Sequence, residues 1–251
     1  MPKELDKNYI DTTKISLKLI TKDAAKEMIE KNHYSHKFSA TRYALGVYYT
    51  EVSDNPFFEG DVDKLIGCMT YGYPVGRLAA DSISDLIQAD NVLELTRLFI
   101  HDGYGSNIES YSLGLSFKWL RANDRNIKVL ISYADPQVGH LGGIYQSTNW
   151  KYQGDSMRLV DTYSLKYSLD DPLWVHSRTI FSNYGSNNVE ILKRQIGKTF
   201  WLKLEERKHR YIYFLCGKNE ANRILNNLKH PIQQYPKQLE QFEEKIMEIT
   251  I

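Results

Sequence analysis

Cysteine is almost absent from this chain: Cys68 and Cys216 are the two among 251 residues. Two thiols exclude a disulfide framework, and nothing points to an oxidising compartment. Both are expected to behave as small buried apolar residues. Long apolar runs are missing as well. No stretch approaches the roughly 20 residues that a membrane-spanning helix requires, and residues 1–7 lack the apolar centre of a signal peptide. The expected location is the cytoplasm, with no membrane partner. There are no internal repeats and no low-complexity tracts.

A dominant charge is lacking too, since the net is +1 with 25% of residues charged and a mean hydropathy of −0.48. The charge is unevenly spread, however. Residues 173–237 hold 12 Lys and Arg against 4 Asp and Glu, a net of +8, whereas residues 238–251 hold 1 against 4, a net of −3. The remainder is mildly acidic. A basic second part behind an acidic first part fits a surface that faces a polyanion, and equally a solvated basic face with no partner. The 18 tyrosines suit stacking on extruded bases as well as ordinary cores.

Alternation and helical spacing predict the order of elements. Strands are expected at 15–20, 44–50, 65–71, 92–100, 129–133, 159–165 and 209–215, the last strongly apolar. A helix begins after Thr21, a good N-cap, with Asp23 in its first turn and Ala24, Met28 and Ile29 as its apolar stripe. A second helix spans 108–122 with Tyr111, Leu115 and Trp119 in line, and a third is expected within 139–150. Residues 168–209 are polar, with the Trp174–Arg178 segment and an amphipathic stretch near 189–196, and look like an insertion. A short helix at 219–228 and acidic helical tails follow. The fold class is α/β, one mixed sheet flanked by helices, with parallel neighbours among the strands near 95, 130 and 160. The expected division is a catalytic core at 1–167, a basic insertion at 168–209 and a last core strand with an extension at 210–251.

The segment from Ser132 to Gly154 is the most unusual. A strand runs into Asp135-Pro136, and Gly142-Gly143-Ile144-Tyr145 then begins a helix. Paired glycines at a helix start cost roughly 1 kcal/mol each relative to alanine, so something is expected to approach the backbone there. The cleft at the carboxyl ends of parallel strands is the default ligand site. Asp135 and Tyr145 are therefore candidates to act on whatever binds. Asp135 could instead be a turn residue or N-cap, and Tyr145 a core tyrosine.

Several blocks carry a resemblance. They are Asn32-His33-Tyr34-Ser35, Glu94-Leu95-Thr96-Arg97, Ser132-Tyr133-Ala134-Asp135-Pro136 with Gly142-Gly143-Ile144-Tyr145, and Lys208 to Leu215 with Tyr235-Pro236-Lys237. The order of elements resembles the GNAT N-acyltransferase fold, and more narrowly the chain is similar to the Mom family of phage DNA-modification proteins. That resemblance implies conversion of adenine N6 in double-stranded DNA to the N6-carbamoylmethyl form, in a bacterial host cytoplasm, shielding phage DNA from host restriction. It implies catalytic roles for His33, Tyr34, Asp135 and Tyr145, with Tyr145 as general acid, and it raises iron(II) as a metal these four could hold. It implies acetyl-CoA or a related acyl donor near Arg97, Ile100, Asn107, Ser110 and Ser112. Serines stand here where the acyltransferase pyrophosphate loop carries glycines.

Arg97 lies in an apolar strand and needs a partner, either Glu94 or a cofactor phosphate. For DNA, the candidates are His176, Arg178, Arg207, Lys208 and Arg210. His140 and Asn149 are weaker site candidates. Two other readings remain open: an ordinary N-acetyltransferase acting on a protein or small-molecule amine, and a DNA-binding protein that kept the fold without catalysis.

Overall fold

The computed structural model describes residues 10–53, 60–74, 77–156, 162–238 and 244–251. In chain order the strands and helices are β1 (Ile15–Leu19), α1 (Lys22–Asn32), β2 (Tyr43–Val52), β3 (Asp61–Gly72), α2 (Arg77–Asp81), β4 (Val92–Ile100), α3 (Ile108–Asn123), β5 (Val129–Ala134), α4 (Gly143–Ser147), β6 (Lys151–Asp155), β7 (Tyr163–Lys166), α5 (Ser177–Tyr184), α6 (Val189–Ile196), β8 (Phe200–Leu204), β9 (His209–Phe214), α7 (Lys218–Leu225) and β10 (Ile246–Ile249). They fall into two compact units. The first comprises residues 1–133, 142–154 and 210–235, the second 134–141, 155–209 and 236–251.

The first unit is built on a seven-stranded mixed sheet in the order β1-β2-β3-β4-β5-β9-β6, which is the α/β architecture expected. β1 to β4 form antiparallel neighbours, and β4 pairs with β5 in parallel. Thr21 caps α1, its Oγ1 accepting the Ala24 N–H at 3.2 Å. Ala25 and Ile29 are its buried residues, packed with Ala44 and Cys68, with Met28 beside them. Ala80, Ile83, Ile87, Val92, Val129, Ile131, Ile212 and Ile224 make a second core cluster. Cys68 is buried as expected, and burial pushes its thiol up to about 12, whereas Cys216 is only half-buried.

Helix α3 turns a different face inward from the one its aromatic spacing predicts. Ile108, Leu113, Phe117 and Leu120 are buried together with Ser112 and Ser116, while Tyr111, Leu115 and Trp119 stay partly exposed. The two serines let the helix approach the sheet closely, and Ser116 Oγ meets the buried Tyr71 hydroxyl at 2.6 Å. Small polar residues thus won a face that larger aromatics were expected to hold. The third helix is also shorter than expected. A 3-10 turn at Pro136–Val138 and the five-residue α4 occupy that region, and the chain then returns as β6, a strand that the sequence pattern did not reveal.

The second unit is more than an insertion into the sheet. It carries its own three-stranded antiparallel sheet in the order β10-β8-β7, covered by α5 and α6. Leu165, Ile180, Leu192, Phe200 and Leu202 form its core. The strand expected at 159–165 appears as β7 in this sheet, not as a parallel neighbour of β5, and residues 157–161 lie outside the described residues. The C-terminal segment, expected to be helical, contributes strand β10, with Ile249 opposite Phe200; residues 239–243 lie outside the described residues. Pairing with β8 over Ile246–Ile249 therefore decides this segment against the helix-forming composition of the tail. Of the described residues, no helix is long and apolar enough to cross a membrane.

This packing sets an expected outcome. Phe200 is fully buried, whereas Phe181 is 57% exposed. Phe200→Ala should cost about 3–5 kcal/mol and Phe181→Ala no more than about 0.5 kcal/mol, as read from urea unfolding curves.

Candidate active site

The parallel pairing of β4 with β5 runs through Val92–Val129, Leu93–Leu130 and Glu94–Ile131 and ends there. On the other side of β4 the register slips at the same level. Thr70 pairs with Arg97 and Tyr71 with Leu95, leaving Thr96 as the extra residue of a bulge. Thr96 Oγ1 meets Thr70 Oγ1 at 2.7 Å. A bulge twists its strand, so β4 and β5 part beyond this point. Just past the last β4–β5 pair, the Leu95 carbonyl accepts from Ser132 Oγ at 3.0 Å. Ser132 Oγ also lies 2.8 Å from the Tyr145 hydroxyl oxygen. The tyrosine that the sequence singled out therefore ends at the fork between the two parallel strands.

Its surroundings are aromatic. The Tyr145 ring lies 5.2 Å from Trp150 and 5.1 Å from Tyr211, and both of those are fully buried. The residue as a whole is half-buried, and its hydroxyl lies deep. Burial pushes the Tyr145 hydroxyl up to about 12; the Ser132 hydrogen bond opposes this, and the charges of Tyr34, Glu94 and Tyr211 add to it. At neutral pH the residue holds its proton, as an acid must before it can give one. Tyr71, at full burial, is raised by the same cause, with Tyr145 contributing.

His33 closes α1, its backbone N–H donating to the Ile29 carbonyl at 2.9 Å. Its ring is buried, and Nδ1 accepts the Ser35 N–H at 3.1 Å, with Ser35 Oγ 2.9 Å away. Tyr34 stacks against it at 4.3 Å and is 57% exposed. Arg97 supports the loop that follows, with Nε donating to the Lys37 carbonyl at 2.8 Å and Nη1 to the Thr96 carbonyl at 2.5 Å. Arg97 thus satisfies the bulge and ties the 33–42 loop to β4.

The paired glycines divide in role. Gly142 has φ +79°, and a Cβ there would sit 2.5 Å from the Tyr211 ring, so what approaches the backbone is an aromatic side chain of the protein itself. A Cβ at Gly143 would meet nothing within 4 Å. Asp135, in the second unit, is the N-cap of the 3-10 turn: Oδ1 accepts the Gln137 N–H at 3.1 Å. Its Oδ2 pairs with Lys208 Nζ at 3.0 Å. The candidate catalytic carboxylate and a candidate DNA-contact lysine are thus partners of each other. Asn149 takes a left-handed φ of 63° just before Trp150, a turn role.

The proposed donor residues do not form a pyrophosphate cradle. Ile100 and Ser112 are buried in the packing of the first unit, and Ser110 donates its hydroxyl proton to the Asn107 carbonyl at 2.9 Å. Asn107 precedes α3 in a left-handed conformation without a side-chain cap. A cavity of about 450 Å³ does open at this helix start, lined by His101, Asp102, Gly103, Gly105, Ile108 and Glu109. Its two carboxylates oppose an anion, so these residues do not fit the pyrophosphate of an acyl-CoA. Among the described residues no three His, Cys, Asp or Glu side chains gather as a metal cage. The oxygens of Asp135 and Tyr145 have partners within their own units, Gln137 and Lys208 for Asp135 and Ser132 for Tyr145.

The DNA candidates separate by exposure. Arg178 and Arg207 are exposed. His176 caps α5, Nδ1 accepting the Arg178 N–H at 3.2 Å, with Nε2 3.6 Å from Glu205. Burial raises the Glu205 carboxyl, but the Ser177 N–H, the His176 charge and the Ser177 and Thr162 hydroxyls outweigh it and hold the group below its ordinary value. Arg210 leaves the DNA set altogether. It is 4% exposed in the first unit, donates to the Ala79 carbonyl at 3.2 Å, and has its pKa lowered by burial. It sits in β9 among four consecutive buried residues, His209 to Ile212, a strand covered on both faces. The same unit holds what sequence reading missed: Ser132, Tyr211 and Trp150 around Tyr145. For Ser132 the signal was present, since it lies one residue from Tyr133 in the strand-end motif and so faces the opposite side of the sheet.

The first unit is thus a mixed α/β sheet that forks between the parallel strands β4 and β5, with the protonated Tyr145 hydroxyl at the fork. The family model of the Mom protein family matches residues 14–237, and the chain belongs to that family. It is 27% identical over 217 residues to "Methylcarbamoylase mom" of Escherichia phage Mu, covering 85% of this chain and 80% of that protein. A solved N-acetyltransferase from Staphylococcus aureus Mu50 aligns with a TM-score of 0.38 at 11% identity, covering 80% of this chain and 97% of that one. At that score the likeness carries no argument about activity.

Two outcomes follow from the geometry. Gly142→Ala should destabilise the protein by about 1–3 kcal/mol through its positive φ and the Tyr211 contact. Gly143→Ala should be neutral or slightly stabilising, and thermal unfolding compares the two. Raised values for Cys68, Tyr71 and Tyr145 mean the unfolded chain ionises these groups first. Their contribution is complete below about pH 9 and is lost as pH rises towards 12. Urea midpoints measured from pH 8 to 11 should therefore fall, and fall less in Tyr145→Phe.

Proposed function

We propose that this chain converts the exocyclic N6 amine of adenine in double-stranded DNA to N6-carbamoylmethyladenine. Family membership and the phage relative support a phage DNA-modification protein. The single observation that carries the chemical reading is the Tyr145 hydroxyl, buried, protonated and seated on Ser132 at the β4–β5 fork. A carbamoylmethyl group is attached through its methylene, so the amine nitrogen attacks an sp³ carbon of the donor, not a carbonyl. One N–C bond forms and the bond from that carbon to the leaving atom breaks. Tyr145 gives its proton to the leaving atom, and a general base, for which the sequence offers Asp135 and His33, takes the proton that the amine loses. An adenine inside a duplex has to leave the stack before this reaction, at a cost of a few kcal/mol. Aromatic stacking and phosphate contacts from exposed cations such as Arg178 and Arg207 offset that cost. The donor is a small molecule with an activated two-carbon unit.

The test is expression of the full chain in bacteria followed by mass spectrometry of the nucleosides from their DNA. Carbamoylmethylated deoxyadenosine should accumulate with the unaltered chain and fall by at least about 100-fold with Tyr145→Phe. Unmodified deoxyadenosine from a soluble, folded protein would overturn the reading. An acetylated adenine in its place would point to acyl transfer.

A further inference from the structure

We infer that Ser132 is a positioning residue for the reaction, a hydroxyl rotor that directs the Tyr145 proton by alternating between the Leu95 carbonyl and the Tyr145 oxygen. This rests on the role given to Tyr145 above. Ser132 is 1% exposed, so water does not compete for its hydroxyl. It has one proton and two neighbours, the Leu95 carbonyl oxygen at 3.0 Å and the Tyr145 oxygen at 2.8 Å. The carbonyl only accepts. When Ser132 donates to it, the short contact with Tyr145 is filled by the tyrosine's own proton, which is then held away from the cleft. When Ser132 turns and donates to the Tyr145 oxygen, that proton is free to point elsewhere.

The same rotation serves the transfer. The Tyr145 O–H bond breaks, its proton passes to the leaving atom, and the electron pair stays on the phenolate oxygen. Ser132 donates to that oxygen, which is where the new charge appears, and a hydrogen bond to a charged acceptor is stronger than one to a neutral acceptor. Reprotonation from water lets Ser132 return to Leu95. The return is favoured because a buried carbonyl left without a donor costs free energy. The fork makes this possible: β4–β5 strand pairing ends at Glu94–Ile131, and just beyond it the Ser132 hydroxyl meets the Leu95 carbonyl. The other titratable groups that act on Tyr145 are Tyr34, Glu94, Tyr211 and Tyr71, and none is altered in the variants below.

The experiment compares the full chain with Ser132→Ala, Ser132→Thr and Tyr145→Phe. Time courses of adenine modification are read by mass spectrometry, and folding is read by thermal unfolding. Ser132→Ala should stay folded and slow modification roughly ten- to a hundredfold, the value of one hydrogen bond to a charged group. Ser132→Thr, which keeps the hydroxyl, should recover most of the rate. A second readout incorporates a fluorinated tyrosine at position 145 and follows its ionisation by ¹⁹F NMR. Its midpoint should move to higher pH in Ser132→Ala, a change that a purely packing residue would not produce. Full activity in Ser132→Ala, alongside an inactive Tyr145→Phe, overturns this inference alone. Full activity in Tyr145→Phe overturns the reading beneath it. Should Ser132→Ala fail to fold, the same ¹⁹F titration in Ser132→Cys decides, and an unmoved midpoint there counts against the rotor.

Discussion

The Leu95 carbonyl is the point on which the first unit's candidate site depends. A carbonyl released from a sheet ladder and buried has to find a donor, or it costs about 1–3 kcal/mol. Ser132 is that donor, and it stands one strand away because β4 and β5 run parallel up to Glu94 and then part. Everything else is arranged around the fork. The bulge at Thr96 produces it, Arg97 satisfies the Thr96 carbonyl, and the Tyr145 hydroxyl completes the chain through Ser132. Gly142 allows α4 to begin beside the Tyr211 ring, which holds Tyr145 at its height. A single break in β pairing thus sets the position of the residue proposed to do the chemistry, and burial keeps it protonated.

The second unit is organised by a different constraint. Its core is apolar, and beside it the largely buried Glu205 carboxylate receives the Ser177 N–H and hydroxyl and the Thr162 hydroxyl. That network holds the start of α5 and so fixes the Trp174–Arg178 segment that the sequence marked for DNA. Trp174 itself lies between Lys166 and Lys203, each with its ammonium 5.2 Å from the ring. Lys208 is already paired with Asp135, so a phosphate that recruits it would act on the carboxylate as well.

Much of the fold was legible. The Thr21 cap, the strands from β1 to β5, the amphipathic α6 and the strong β9 all follow from local spacing, because each is decided by residues within one or two turns or by simple alternation. The misreadings share a cause. The inward face of α3 went to Ser112 and Ser116, β6 was not foreseen, β10 appeared where a helix was expected, and β7 joined another sheet. Each depends on what the segment packs against, which short-range pattern does not encode. Arg210 illustrates the same limit: its charge marked it for DNA, while β9, buried on both faces from His209 to Ile212, holds it in the interior.

For the candidate site the division is clear. The residues themselves determined that something unusual occurs between Ser132 and Tyr145, since two glycines after a strand-end carboxylate are costly without a reason, and the family blocks lie in order along the chain. They also determined which chemistry was on offer, a phenol and a carboxylate. Tertiary structure decided which partners those groups have. Ser132 meets Tyr145 across 13 positions of chain and Leu95 across 37, and Asp135 meets Lys208 across 73. Such contacts arise from strand order, bulge and crossover, which are settled only when the whole sheet closes its hydrogen bonds and buries its faces.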